Sequence, residues 1–134
     1  MRIEGGCHCG RITFEATVEP GTIGLCHCSD CQTLTGSAFR ATIAAPADSF
    51  VLKSGVPKIY VKTADSGVRR VHAFCPDCGT PIYAAAPTTP ATYSLRVGTI
   101  KQRQELGRPR RQIWHRSALP WSTDLGGSEV FERQ

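Results

Sequence analysis

Seven cysteines in three tight clusters constrain this chain more than any other feature, because residues so close in sequence must share a small volume. The 134-residue chain has no other cysteine, and the clusters are Cys7-His8-Cys9, Cys26-His27-Cys28-Ser29-Asp30-Cys31 and Cys75-Pro76-Asp77-Cys78. Zinc sites with four protein ligands are closed and structural, whereas sites with three leave a position for water or substrate. Seven cysteines divide into four plus three, which predicts one metal that holds the fold and one that is open to chemistry.

Disulfide bonds are the alternative interpretation of these cysteines. An odd count leaves one thiol unpaired, and neighbours such as Cys7 and Cys9 rarely reach disulfide geometry without backbone strain. Residues Met1–Gly6 lack the apolar segment of a secretory signal, so we expect a reducing cytoplasm, where clustered cysteines more often bind metal. Metal ligation is therefore the preferred interpretation. Thiolate ligands alone also suit an iron–sulfur cluster, and that possibility stays open here.

The spacing favours one partition of the seven cysteines between two ions. Cys26, Cys28 and Cys31 lie within six residues, so one turn and the start of a short helix can wrap a single ion. Backbone N–H groups at a helix N-terminus further stabilise thiolates. The remaining four cysteines then form a tetrahedral site that joins the N-terminal segment to a distant hairpin: Cys7, Cys9, Cys75 and Cys78.

A second partition pairs Cys28 and Cys31 with Cys75 and Cys78, as in a zinc ribbon. The spacer between these pairs is much longer than ribbons use. This partition also leaves the other three cysteines without a coherent site. We therefore prefer the first partition.

Length and charge limit the classes of function. A chain of 134 residues is expected to form one domain, residues 1–134. The sequence contains no run of about eighteen apolar residues, so no membrane span is predicted. The formal net charge of +5 counts thiols as neutral, and seven thiolates with two zinc ions would lower it by about three. We interpret the remaining basic cluster as a solvated loop rather than a patch for an anionic substrate or nucleic acid, because no aromatic residues are interleaved with Lys101, Arg103, Arg108, Arg110 and Arg111.

Strand patterns dominate the chain. Residues 11–18 alternate polar and apolar side chains, as in a half-buried strand. Further strands are predicted over residues 37–45, 50–53, 58–62, 68–74, 82–85, 92–97 and 112–115. The one helix signal is Ser29, which we expect to cap a short turn through Leu34. The sequence therefore predicts a mostly β fold with cysteine clusters on its turns.

Three motifs and the C-terminal tail together resemble one known family. They are Gly6-Cys7-His8-Cys9-Gly10 with the strand that follows, Cys26–Cys31 followed by Gly36-Ser37, Phe74–Gly79, and the tail Ser117-Ala118-Leu119-Pro120-Trp121. This combination resembles the glutathione-dependent formaldehyde-activating enzyme family, which includes centromere protein V. The resemblance covers nearly the whole chain, and the three cysteine clusters in this order are its most specific part.

The resemblance implies a fold, a pair of metal sites and an activity. The fold is a β-tent of layered antiparallel sheets around zinc, and the activity is addition of glutathione to formaldehyde. The resemblance places a structural zinc on Cys7, Cys9, Cys75 and Cys78. It places a second zinc, with an open catalytic position, on Cys26, Cys28 and Cys31. We therefore expect a cytoplasmic carbon–sulfur lyase-like enzyme with two zinc ions, a thiol such as glutathione and a small aldehyde as partners, and no nucleic-acid or membrane partner.

A zinc-stabilised binding module without catalysis is the alternative function. Four residues depart from the family pattern and concern the substrate more than the metals. Gln32-Thr33 replaces a common Arg-Lys pair, Gln112 replaces a common histidine, and His115 replaces an apolar residue.

Several residues near the clusters have two interpretations each. His27 is either a proton shuttle or a plain surface residue, and Asp30 either orients a metal ligand or is a cap or solvated carboxylate. We interpret Trp114 and Trp121 as packing residues rather than a substrate wall.

Arginines are the candidates for binding a substrate carboxylate. They are Arg40 and one of the neighbours Arg69 and Arg70. Successive residues of a strand face opposite ways, so at most one of these two neighbours can serve.

Overall fold

The computed structural model describes residues 1–134 and contains ten strands and one short α-helix. Four further segments form single turns of 3-10 helix. The elements in chain order are β1 (Arg2–Gly6), β2 (Thr13–Thr17), β3 (Gly24–Cys26), α1 (Ser29–Thr35), β4 (Arg40–Pro46), β5 (Val51–Ser54), β6 (Lys58–Thr63), β7 (Arg69–Phe74), β8 (Pro81–Ala85), β9 (Thr92–Arg96) and β10 (Arg111–Ile113).

The strands form two sheets. The smaller sheet has the order β1-β2-β5, and the larger has the order β10-β3-β4-β9-β8-β7-β6. Neighbours pair antiparallel throughout, except that β10 runs parallel to β3 at the end of the larger sheet. The C-terminal part of the chain thus returns to the strand that leads into the second cysteine cluster.

A buried apolar cluster joins the inner faces of the two sheets. Alternation along β2 buries Phe14 and Ala16, and alternation along β4 buries Ile43 and Ala45. Burial of apolar side chains at about 25 cal/mol per Å² is the main stabilising term in such a fold. An aromatic cluster extends this core, because the ring of Phe50 stacks on Tyr93 at 4.5 Å and meets Phe14 and Tyr83.

The opposite face of the larger sheet carries polar side chains. On β4, Arg40 and Thr42 alternate with the core residues and so lie on the other face. Across the ladder, Cys26 pairs with Arg40 and Thr42 pairs with Arg96. This register brings a cysteine and two arginines to neighbouring positions on one face of the sheet.

The mostly β architecture predicted from the alternation is confirmed, although β3 was not among the predicted strands and three further elements differ. β1 was not predicted, because Gly5-Gly6 has low strand propensity; it forms by pairing with β2. The predicted strand over 112–115 ends at Ile113, since Trp114 has a φ of 54° and starts a 3-10 turn. The helix cap is Cys28 rather than Ser29.

None of the helices combines the length and the apolar character that crossing a membrane requires.

Truncating the fully buried Ile3 on β1 tests the importance of the smaller sheet. Ile3→Ala should lower the free energy of unfolding by about 2–5 kcal/mol, because it removes buried apolar area and leaves a cavity. Urea denaturation followed by circular dichroism measures the change. Val56→Ala, at a position 81% exposed, is the control and should change stability by less than about 0.5 kcal/mol. Equal losses in the two variants would contradict a core at β1.

Candidate metal sites and the adjoining cleft

The first cysteine group has the spacing of four ligands around one ion. The Sγ atoms of Cys7, Cys9, Cys75 and Cys78 all lie within 4.8 Å of one another. Cys9 Sγ lies 3.6 Å from Cys7 Sγ and 3.8 Å from Cys75 Sγ. Tetrahedral zinc with bonds of about 2.3 Å places its sulfurs about 3.8 Å apart, whereas a disulfide needs about 2.05 Å. These residues therefore fit a metal ion and not a disulfide.

Two turns that each end in a glycine present these cysteines. Gly10 N donates to Cys7 O over 3.1 Å, and Gly79 N donates to Cys75 O over 2.9 Å. Gly10 has a φ of 82° and Gly79 a φ of 75°, a region that glycine occupies without the penalty of a Cβ atom. Each turn thereby directs two sulfurs to the same point.

Hydrogen bonds to sulfur favour ionisation of two members of this group, Cys7 and Cys78. The backbone N–H of Ile12 donates to Cys7 Sγ over 3.2 Å. The hydroxyl of Thr80 lies 3.1 Å from Cys78 Sγ, and hydrogen bonds from Thr80 hold the pKa of Cys78 at about 5. Donors aimed at sulfur favour the thiolate, which is the form that binds metal.

The second cysteine group lies where β3 ends and α1 begins. The Sγ atoms of Cys26, Cys28 and Cys31 lie within 4.8 Å of one another. Cys31 N donates to Cys28 Sγ over 3.3 Å, so this thiol caps the helix. Burial, together with the neighbouring Cys26 and Cys28, raises the pKa of Cys31 to about 12. Three sulfurs this close cannot all carry negative charge unless a cation offsets it, so the chemistry of the set suits a metal ion.

The structure thus groups the cysteines as the preferred partition predicts, four together and three together. The two groups differ in their access. The four-cysteine group has two buried and two exposed members at the turns, while the three-cysteine group opens onto a cleft.

This cleft has a volume of about 320 Å³ and a cationic lining. The three sulfurs form one side, and the polar face of the larger sheet forms the rest. No aspartate or glutamate lines it, whereas four cationic side chains do: Arg40, Lys62, Arg70 and Arg96. An anionic ligand is the chemistry that such a cleft fits.

Lys62, which lines the cleft, forms an ion pair with the cysteine helix. Lys62 Nζ on β6 lies 2.8 Å from Asp30 Oδ2 on α1. The pair lowers the pKa of Asp30 and raises that of Lys62. Asp30 does not cap α1, and its carboxylate is 60% exposed, as the solvated alternative predicts. It binds Lys62 and so ties the cysteine helix to the far edge of the sheet.

His72 lies on the cleft wall in its neutral form. Its Nδ1 is 3.2 Å from an amino group of Arg96, and because a guanidinium only donates, Nδ1 must accept and the ring proton must be on Nε2. Burial first, and then the charges of Arg96 and Arg40, lower the pKa of His72 to about 4. Nε2 makes no hydrogen bond to another side chain or to the backbone.

Comparison with known proteins agrees with the cysteine pattern. The family model described as glutathione-dependent formaldehyde-activating enzyme matches residues 2–117. The chain belongs to this family. A protein of Schizosaccharomyces pombe named an uncharacterised lyase is 32% identical over 98 residues, which cover 73% of this chain and 68% of the yeast protein.

A solved structure has a similar fold. It is the crystal structure of a Rhodobacter sphaeroides protein, a structural-genomics target, with a TM-score of 0.61 and 20% identity. The match covers 81% of this chain and 98% of the other.

His27 is internal in this member of the family. Its side chain is 0% exposed, and its Nε2 lies 2.8 Å from Gln112 Oε1. The ring packs edge-on against Phe39 and His115, at 5.4 and 5.6 Å. The interpretation of His27 as a surface residue is wrong, and it is not among the residues that line the cleft.

Three of the four departures from the family pattern have structural roles. Gln112 is the partner of buried His27. The side-chain amide of Gln32 donates to His27 O over 2.8 Å and to Ser117 O over 3.0 Å. Both glutamines therefore attach the C-terminal tail to the cysteine turn, and His115 completes this contact by packing on His27.

The tail also provides an aromatic wall that the sequence did not predict. Trp114 and Trp121 are 52% and 56% exposed, so their interpretation as packing residues is wrong. Trp114 lines the cleft, and the guanidinium of Arg116 lies 4.9 Å from its ring centroid.

The expectation for the arginine neighbours on β7 is confirmed, because Arg70 lines the cleft and Arg69 does not. The side chains of the basic cluster are solvated as expected, although Arg111 begins strand β10 rather than lying in a loop. The exposed residues are Lys101, Arg103, Arg108, Arg110 and Arg111.

Sequence reasoning missed Lys62, His72 and Arg96 as members of the site. One signal was available for His72, since it alternates with Arg70 on the same strand and so shares its face. Nothing local marks Lys62 or Arg96, because their strands reach the cysteines only through the order of the larger sheet.

The contact between Gln112 and His27 gives a test of the tail. Gln112→Ala leaves a buried imidazole nitrogen unpaired, so it should lower the free energy of unfolding by about 1–3 kcal/mol. Urea denaturation measures the change. Gln104→Ala, at an exposed glutamine, is the matched control and should leave the midpoint unchanged. A midpoint for Gln112→Ala equal to that of the control would contradict the contact.

The lowered pKa of His72 predicts a pH dependence of stability. Between about pH 6.5 and the folded pKa of about 4, the unfolded chain binds a proton at this residue that the folded chain does not. Stability should therefore fall as pH falls through this window. In an NMR titration, the imidazole signals of His72 should stay those of a neutral ring from pH 8 down to about pH 5. A midpoint near the ordinary value would show that Arg96 and burial do not control the ring.

Proposed function

We propose that the protein is a zinc-dependent carbon–sulfur lyase-type enzyme that adds a thiol such as glutathione to a small aldehyde such as formaldehyde. We further propose a single domain over residues 1–134, a β-tent arrangement of its sheets and two zinc ions per chain. Membership of the formaldehyde-activating family and the lyase-named yeast relative support this assignment.

One observation carries the proposal: the three-cysteine group faces a cationic cleft, while the four-cysteine group has a full set of ligands without any substrate. A closed set of four is typical of structural zinc, and an open set of three is typical of a metal that receives a substrate.

The four-cysteine group is proposed to hold the structural zinc. Cys7 and Cys9 lie on the turn between two strands of the smaller sheet, and Cys75 and Cys78 lie on the turn between two strands of the larger. One ion would therefore join the sheets at this end. Structural zinc contributes on the order of 10–16 kcal/mol of apparent free energy in small domains, comparable to the whole net stability of a protein.

Zinc held by Cys26, Cys28 and Cys31 would supply the positive charge that keeps a substrate thiol ionised at neutral pH. The chain's own residues would then bind and orient the reactants. Arg70 on the cleft wall suits a carboxylate of a peptide thiol such as glutathione. Trp114 forms one side of the cleft.

His72 is proposed to bind the aldehyde oxygen. The thiol releases its proton to water in the open cleft when it ionises. As the substrate sulfur bonds to the carbonyl carbon, the carbonyl electron pair moves to oxygen, and that oxygen takes a proton back from the same water, so that no net proton is consumed. A neutral ring with its proton on Nε2 can donate a hydrogen bond to the oxygen as negative charge develops there. Because Arg96 donates a hydrogen bond to Nδ1, the ring presents Nε2 to the substrate throughout the reaction.

Serine substitutions in the two cysteine groups test the division of labour between them. Cys28→Ser should keep the fold, bind one zinc fewer per chain and lose formation of S-hydroxymethylglutathione. Cys78→Ser should lose the structural ion and unfold, because the closed site joins the two sheets. Metal analysis, thermal melting and product detection by NMR measure the three effects.

Equal losses of melting temperature in the two variants would contradict this division. A wild-type protein that holds one zinc and three free thiols would instead favour a zinc-stabilised binding module.

A further inference from the structure

Two arginines in the cleft are buried without a counter-charge. Arg40 on β4 is 5% exposed and Arg96 on β9 is 7% exposed, and the Nε atom of each has no hydrogen-bond partner. None of the ion pairs in the structure includes either residue. Arginine is almost never this buried unless it is paired, because removing its charge from water is costly.

The two guanidinium groups lie beside the three-cysteine group. Arg40 is the cross-strand partner of Cys26, and Arg96 is the cross-strand partner of Thr42, two residues further along β4. Both arginines also border a second cavity of about 400 Å³, which is lined by the apolar side chains of Leu34, Tyr60, Phe74 and Pro81. The arginines therefore lie between the metal-facing cleft and an apolar cavity, close to where a substrate would react.

The charges already present do not satisfy this pair. Three thiolates with one divalent zinc would carry a single net negative charge, against two buried guanidinium groups and the nearby Arg70. Lys62 is already paired with Asp30. His72 meets Arg96 only as a neutral acceptor. The cleft thus has an excess of positive charge on the side formed by Arg40 and Arg96.

We propose that Arg40 and Arg96 form a carboxylate-binding site, so that a substrate of this enzyme carries a carboxylate close to its reacting group. A planar guanidinium donates two parallel hydrogen bonds to a carboxylate, and burial strengthens them. Formaldehyde has no charge and cannot use this site. The carboxylate belongs either to the thiol, as in glutathione, or to the carbonyl compound, as in a 2-oxo acid.

This inference depends on the proposed function only for the identity of the reacting group. Binding of the carboxylate can be measured without turnover. Isothermal titration calorimetry on the full metal-loaded chain would use S-methylglutathione in one arm and glyoxylate in the other. The counterparts without a carboxylate are S-methylglutathione diethyl ester, which keeps only its ammonium charge, and glycolaldehyde, which is uncharged. At least one probe with a carboxylate should bind at least 10-fold more tightly than its counterpart, because charge-assisted hydrogen bonds contribute about that much. The arm that shows this difference identifies which reactant carries the carboxylate.

Arg40→Gln should weaken binding of that probe by about 10- to 100-fold. Arg69→Gln removes an exposed arginine outside the cleft and should bind as the wild type does. The ligand-free Arg40→Gln protein should melt at a higher temperature than the wild type, because the change removes an uncompensated buried charge. If Arg40→Gln fails to fold, Arg40→Lys keeps the charge but loses the two-pronged geometry, and should weaken binding by about 5-fold or more.

Failure of both charged probes to bind would overturn the proposal, as would wild-type affinity in the Arg40 variants. Either result would leave the zinc content and the formaldehyde reaction to be judged by their own measurements. A protein that binds S-methylglutathione through Arg40 but shows no adduct formation would support the carboxylate site and contradict the proposed reaction.

Discussion

The convergence of four sulfurs from two distant turns is the constraint on which the rest of the structure depends. Cys7 and Cys9 belong to the smaller sheet and Cys75 and Cys78 to the larger, so their contact sets how the sheets meet at that end. The two turns have little apolar side chain of their own to bury. An ion bound by thiolates would supply directional bonds where the hydrophobic effect supplies few.

The larger sheet separates stability from chemistry by its two faces. One face packs Ile43, Leu95 and their neighbours into the core, and the other presents Arg40 and Arg96 beside the three-cysteine group. Side chains alternate along a strand, so the core residues lie on the face opposite the arginines. Packing of those core residues fixes the backbone of the strands that carry Arg40 and Arg96. Burying unpaired charge costs stability, which the apolar face and the cysteine sites must offset. Functional sites are where proteins retain such unfavourable groups.

The C-terminal tail holds the cysteine turn from outside. The parallel pairing of β10 with β3 places Gln112 against buried His27, while Gln32 reaches from the helix to the tail. This attachment positions Trp114 over the cleft. The tail therefore links the shape of the substrate cleft to the conformation of the turn that carries the three thiols.

Local spacing in the sequence by itself determined the cysteine clusters, the mostly β character and the family, because these depend on residues that are near one another along the chain. Alternation on β7 also separated Arg70 from Arg69. Only the tertiary structure decided that Lys62 and Arg96 reach the cysteines and that His27 is internal. Those contacts depend on sheet order and strand register, which are set by pairings between residues far apart in the chain and leave no mark in any single segment.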